Sequence, residues 1–175
     1  NIFLLDGDDI FNKKKIEIIS KIINNREIMI LDNYFTISNN AKFKNKIMNH
    51  KKNYFYKRFI NDWPKNVCTS AISIERKLLF KFFKEIKISK YKYLAIDILL
   101  AIYCNRGGKL LRVNKFFTNK IELSDSVDKN YVGYDNRLYW HRRLEQHRYN
   151  FFIKKKSYFN FDFLISYILS FLFRI

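Results

Sequence analysis

An uninterrupted apolar run, Ile2-Phe3-Leu4-Leu5, stops abruptly at Asp6-Gly7-Asp8-Asp9. A short apolar run bounded by polar residues suits a strand buried on both faces, as in a mostly parallel sheet. Acids at the end of such a strand fit the rule that α/β sheets bind ligands beyond the C-terminal ends of their strands. Breakers are scarce: one proline, Pro64, and four glycines in 175 residues. Long regular elements without a Gly- or Pro-rich linker are therefore expected. The length suffices for one domain with a real core. A hydrophobic fraction of 48% excludes a disordered chain.

Periodicity extends this reading. Residues 13–24 place Ile16, Ile19, Ile22 and Ile23 on one face and predict an amphipathic helix. Residues 27–37 predict a strand, 39–62 a polar insert, and Trp63-Pro64 a break. Cys68 to Ile74 reads as a strand leading into a helix at 75–84. Residues 94–104 are too apolar for a surface helix and should be largely buried. Arg106 to Lys109 predicts a turn, 110–113 a strand, and 136–153 a helix with a basic face. The apolar segment 158–173 carries Asp162 and serines and falls short of the ~20 residues of a bilayer span. It predicts a helix packed on the domain or lying at a membrane surface. Cys68 and Cys104 stand in apolar contexts without metal-type spacing and read as buried thiols of a reducing compartment.

The formal charge is +18, from 34 Lys+Arg against 16 Asp+Glu. Such a surplus attracts phosphates, anionic lipid or nucleic acid, or simply coats a solvated surface. Lys154-Lys155-Lys156 before the apolar segment suits an anionic membrane face. The charge carries no recognised nucleic-acid motif, so nucleic acid is not the expected partner.

Asp6 and Asp8 are two apart, which on a strand puts both side chains on one face. Adjacent carboxylates are costly unless a cation joins them, and Mg²⁺ or Mn²⁺ does so while also holding a diphosphate. An EF-hand loop is excluded: its fifth position would be Ile10 and its sixth Phe11, where an oxygen ligand and a glycine are required. From the residues alone two readings stay open, a divalent-cation site or a helix N-terminal cap.

The order strand, D-G-D-D, helix, Trp63-Pro64, Thr69-Ser70-Ala71, helix, then Ala95-Ile96-Asp97 resembles the second half of a glycosyltransferase family 2 catalytic domain. The resemblance runs from residue 1 to about residue 150. It implies an α/β fold: an incomplete GT-A, Rossmann-like domain over residues 1–153, followed by a basic and apolar helix at 154–175. It further implies that Asp6 and Asp8 match the metal-binding DXD motif, with Asp8 the leading ligand for Mg²⁺ or Mn²⁺. Trp63, Thr69 and Ser70 fall on the acceptor side, and Asp97 on the general base of inverting members, with Ile96 in place of the usual Glu.

The later Arg-x-His of many relatives is missing, because Ile121 and Leu123 occupy those positions. Trp140-His-Arg-Arg-Leu-Glu-Gln-His147 offers a substitute, with Arg142 and Arg143 toward the diphosphate and His147 toward the metal, or else a basic solvated helix face. The implied activity is inverting transfer of a sugar from a nucleoside diphosphate sugar, such as a UDP-sugar, to a glycan or lipid-linked acceptor. The expected location is the cytoplasm, against the inner face of the cell membrane. The chain starts on a strand without methionine or signal peptide, so it is expected to be the C-terminal part of a longer protein, inactive by itself. The alternatives are a basic nucleic-acid-binding module and a membrane-surface structural protein.

Overall fold

The computed structural model describes residues 1–38, 41–45, 67–122, 131, 133–154 and 161–173. They form two compact units. One holds the whole sheet with three helices; the other holds the segment Ser89–Ala95 and the two C-terminal helices.

The sheet of the first unit has six strands: β1 (Ile2–Phe3), β2 (Ile10–Phe11), β3 (Met29–Ser38), β4 (Ala41–Asn45), β5 (Ile72–Ile74) and β6 (Leu110–Ile121). Their order is β1-β5-β3-β6-β2, with β4 also paired to β3, and the sheet curls strongly into a half-barrel. Among the described residues only β3 and β6 run parallel; β1–β5, β3–β5, β3–β4 and β2–β6 are antiparallel. This corrects the expected Rossmann-like GT-A fold, which requires a mostly parallel sheet. The reason is physical. Apolar character favours burial of a strand but does not say which way its neighbours run. β5 is wholly buried between β1 and β3, yet it is antiparallel to both. β1 is a two-residue edge strand, only half-buried.

Helix α1 (Lys15–Ile23) lays Ile19 and Ile23 on the sheet with Ile30 and Phe117. Each such side chain contributes up to about 1.5–3 kcal/mol on leaving water. The buried stripe differs from the expected one. Ile16 is exposed, and Lys15 is buried in its place. The helix ends at Asn24 and Asn25, both with positive φ, which asparagine tolerates better than most residues.

Helix α2 (Arg76–Glu85) starts at Glu75, whose carboxylate accepts the Leu78 N–H at 2.9 Å. Helix α3 (Ile96–Arg106) is buried through Ile98–Ile102 and Cys104, as its apolarity predicts. It closes with Lys109 N–H to Cys104 C=O at 2.8 Å and Gly108 at φ 68, so the chain reverses directly into β6. Only glycine enters that region without steric cost.

The second unit is built on α4 (Arg137–Lys154) and α5 (Phe161–Leu172). Glu145 of α4 is buried and ties down the loop before α3, accepting the N–H groups of Lys92 at 3.1 Å and Tyr93 at 2.7 Å. No helix of the described residues is long and apolar enough to cross a membrane.

Candidate functional site

Asp6-Gly7-Asp8-Asp9 is a turn, not a strand. The Asp9 N–H reaches the Asp6 C=O at 3.1 Å and reverses the chain between β1 and β2. Asp6 and Asp8 are both exposed on it. The turn is held from behind. The Asp6 N–H donates to Ser70 Oγ at 2.9 Å, and the Asp6 carboxylate accepts a hydrogen bond from the Thr69 side chain. Asp9 points inward: its Oδ1 accepts the Ile121 N–H at 2.9 Å and its Oδ2 faces Cys68 Sγ at 3.7 Å.

Neither Asp8 nor Asp9 caps α1. That helix starts at Lys14 without a side-chain cap, and Asn12 Oδ1 accepts the Lys14 N–H at 3.0 Å. The three acids therefore divide between roles. Asp9 fastens the turn, while Asp6 and Asp8 face water.

Partial burial, then the Asp9 carboxylate, push the Asp6 carboxyl above its ordinary range. The Thr69 hydrogen bond opposes that rise, Asp8 adds to it, and Lys120 lowers it again. The local field is thus set by three clustered carboxylates and one nearby amine. Burial and the Asp9 charge push the Cys68 thiol up to about 12, so it stays a neutral packing group.

Under the turn lies a buried ion pair. Lys15 Nζ sits 2.9 Å from Asp32 Oδ1, and both side chains are fully buried. The amine also donates to Thr118 Oγ1 at 2.8 Å and to the Ser70 C=O at 2.5 Å, and it lies 4.2 Å from the centre of the Phe11 ring. Thr118 in turn donates to Asp32 Oδ2 at 2.9 Å. Two irregularities in the β3–β6 pairing, on either side of Asn33, bring this about: Asp32 is level with Val113, but Tyr34 is already level with Thr118. Such bulges re-aim side chains. Burial drives both Lys15 and Asp32 toward their neutral forms, and their mutual attraction opposes it. Ser70 links the layers: its carbonyl holds Lys15 and its hydroxyl holds Asp6.

The expected site residues distribute as follows. Asp6, Asp8, Thr69 and Ser70 meet at the turn. Asp97 lies in the same unit, half-buried in the first turn of α3, with its Oδ1 accepting the Ile98 N–H at 2.6 Å. Trp63 falls outside the described residues. Arg142, Arg143 and His147 belong to the second unit. Arg142 lies over the Tyr131 ring at 4.8 Å. Arg143 binds Asp162 Oδ1 through Nε and Nη2, each at 2.7 Å. His147 is fully buried, with Nε2 3.5 Å from Asp162 Oδ2 and its ring edge-on to Phe163.

Lys15, Asp32 and Thr118 were absent from the sequence reading. Asp32 did leave a signal: an acid between Leu31 and Asn33 within an apolar strand must find a partner. Lys15, in a run of three lysines, left none.

Among the described residues, no group of three or more His, Cys, Asp or Glu is arranged to hold a metal ion. Mg²⁺ bound by one or two carboxylates together with water and substrate phosphates needs fewer protein ligands than such a group. No protein-family model, no curated protein and no solved structure matches this chain.

Proposed function

We propose that the Asp6–Asp9 turn is the diphosphate-metal site of a glycosyltransferase that uses a nucleoside diphosphate sugar. The observation that supports this most is the junction of Asp6 with Thr69 and Ser70, over sixty residues apart in sequence. The resemblance in the sequence sets those two segments on the donor and acceptor sides of one site. The reading rests on the site rather than the architecture, because one chemistry recurs on unrelated folds.

Asp6 and Asp8 present carboxylate oxygens to water from a turn that Ser70 and Asp9 immobilise. A bound Mg²⁺ or Mn²⁺ would supply neutralisation of the charge that develops on the departing diphosphate. Asp8, with its side chain exposed, is the leading ligand, and Asp6 the second. Thr69 flanks the Asp6 carboxylate where an acceptor hydroxyl would approach. Asp97, near the N-terminus of α3, is the candidate to take the proton from that hydroxyl. A glycan or a lipid-linked sugar is the acceptor class.

The test is Mn²⁺ binding followed by paramagnetic resonance, with and without UDP, on the chain and on Asp8→Asn. Binding that strengthens with UDP and falls about tenfold or more in the variant is expected, since a directly ligating carboxylate is lost. Equal binding by Asp8→Asn would overturn the assignment.

A further inference from the structure

Helix α5 is amphipathic in the wrong sense for a surface helix. Its polar residues Asp162, Ser166 and Ser170 recur every four positions and are all buried. Part of its apolar surface faces outward: Phe161 is 61% exposed, Ile168 45%, Phe171 63% and Leu172 58%, while Phe163, Leu164, Ile165 and Leu169 are half-buried. A helix in contact with water alone buries its apolar stripe and exposes its polar one.

The inverted arrangement is satisfied on its inner side. Ser166 Oγ donates to the Asp162 C=O at 2.7 Å, and Ser170 Oγ to the Tyr167 C=O at 2.8 Å, so both hydroxyls are paired within the helix. Asp162 is held by Arg143 and His147 of α4. Small and polar residues toward a neighbouring helix with large apolar ones outward is how helices pack when the outside is not water. Contiguous exposed apolar surface of this kind marks an interaction site.

We infer that the outer face of α5 seats on the surface of an anionic lipid bilayer. Two observations choose this occupant. The chain carries a net charge of +18, and Lys154-Lys155-Lys156 precede α5 in sequence, which complements anionic headgroups. A second copy of the chain carries the same charge and is repelled by it. Length fixes the mode: twelve residues of α5 make roughly 18 Å of helix, short of the roughly 30 Å of hydrocarbon. The helix lies in the interface instead of crossing it. This inference is independent of the chemistry assigned to Asp6 and Asp8.

The test is flotation of the chain with vesicles of phosphatidylcholine, with and without phosphatidylglycerol. Binding to the phosphatidylglycerol vesicles alone is expected. The triple variant Ile168→Ser, Phe171→Ser, Leu172→Ser should lower that binding about tenfold or more, because three apolar side chains leave the interface. Unchanged binding by the triple variant would overturn the inference. So would light scattering that shows an oligomer of the wild-type chain dissociating in the variant, which would assign the face to a second copy.

A single replacement avoids dependence on the folding of the triple variant. Ile168→Cys can be labelled with a polarity-sensitive fluorophore, because Cys68 and Cys104 are both buried. A blue shift on adding phosphatidylglycerol vesicles supports the inference; unchanged emission defeats it.

Discussion

Two buried carboxylates in this protein meet opposite electrostatic fates. Asp32, in the sheet unit, is fully buried with Lys15, and burial outweighs its partners so that its carboxyl is raised above the ordinary 3.8. Asp162, in the helical unit, is also pushed up by burial, but the neighbouring His147 imidazole and then the Arg143 charge outweigh that push and hold it below 3.8. The difference lies in the donors. Asp32 has one amine, itself stripped of water, plus the Thr118 hydroxyl and the Phe117 backbone. Asp162 has a guanidinium that keeps a fifth of its surface in solvent, so the arginine side loses less hydration. Burial is therefore countered more fully in the second unit than in the first.

Removing one partner should separate the two most clearly. Lys15→Ala leaves the buried Asp32 without its cation, and should cost about 3–5 kcal/mol in urea denaturation followed by circular dichroism. The double variant Lys15→Met, Asp32→Leu should recover most of that loss, since an apolar pair of similar volume is often neutral or better. A Lys15→Ala chain as stable as wild type would show that Asp32 is neutral or wet.

Asp162→Ala should cost less, about 2 kcal/mol, because Arg143 can turn to solvent. Trp140, whose Nε1 donates to the Tyr134 C=O in the same unit, provides a fluorescence readout. The pH dependence follows from the depressed carboxyl. Its stabilisation is fully present above the unfolded value of 3.8 and is lost as pH falls through the lower folded value. Acid should thus loosen α5 from α4 in wild type, in the range below 3.8, and this component should be missing from Asp162→Ala. Asp32 runs the other way. Its raised folded value favours the protonated form, so acid costs the sheet unit nothing through this group.

The smallest change in stability belongs to Ser70→Ala. It removes the hydroxyl that accepts the Asp6 N–H but keeps the carbonyl that holds Lys15. A loss of about 1 kcal/mol is expected in the same urea titration. Mn²⁺ affinity should fall more than that loss suggests, because the turn carrying Asp6 and Asp8 is released. Unaltered Mn²⁺ binding would separate the turn's rigidity from its proposed ligand role.

Helices were the legible part of this chain. The period of the isoleucines located α1, the apolarity of residues 94–104 announced the buried α3, and the residues around 136–153 read as one helix. The strand at Met29–Ser38 was visible for the same local reason. Strand direction was not. β5 is apolar and short whether its neighbours run with it or against it, so nothing in Ile72-Ser73-Ile74 revealed an antiparallel place. Part of the site was visible as D-G-D-D and T-S-A, but not the fact that a serine hydroxyl joins them.

By itself, the sequence determined which segments coil and which acids cluster, because these depend on neighbours a few residues away. Tertiary structure decided the rest. It made Lys15 a core residue, since only the β3–β6 bulges place Asp32 and Thr118 within reach of its amine. It also decided which side of α5 faces out: Asp162 and the serines were plain in sequence, but α4 supplied the Arg143 and His147 that draw Asp162 inward. A charged group settles where its partners are, and those partners come from distant parts of the chain.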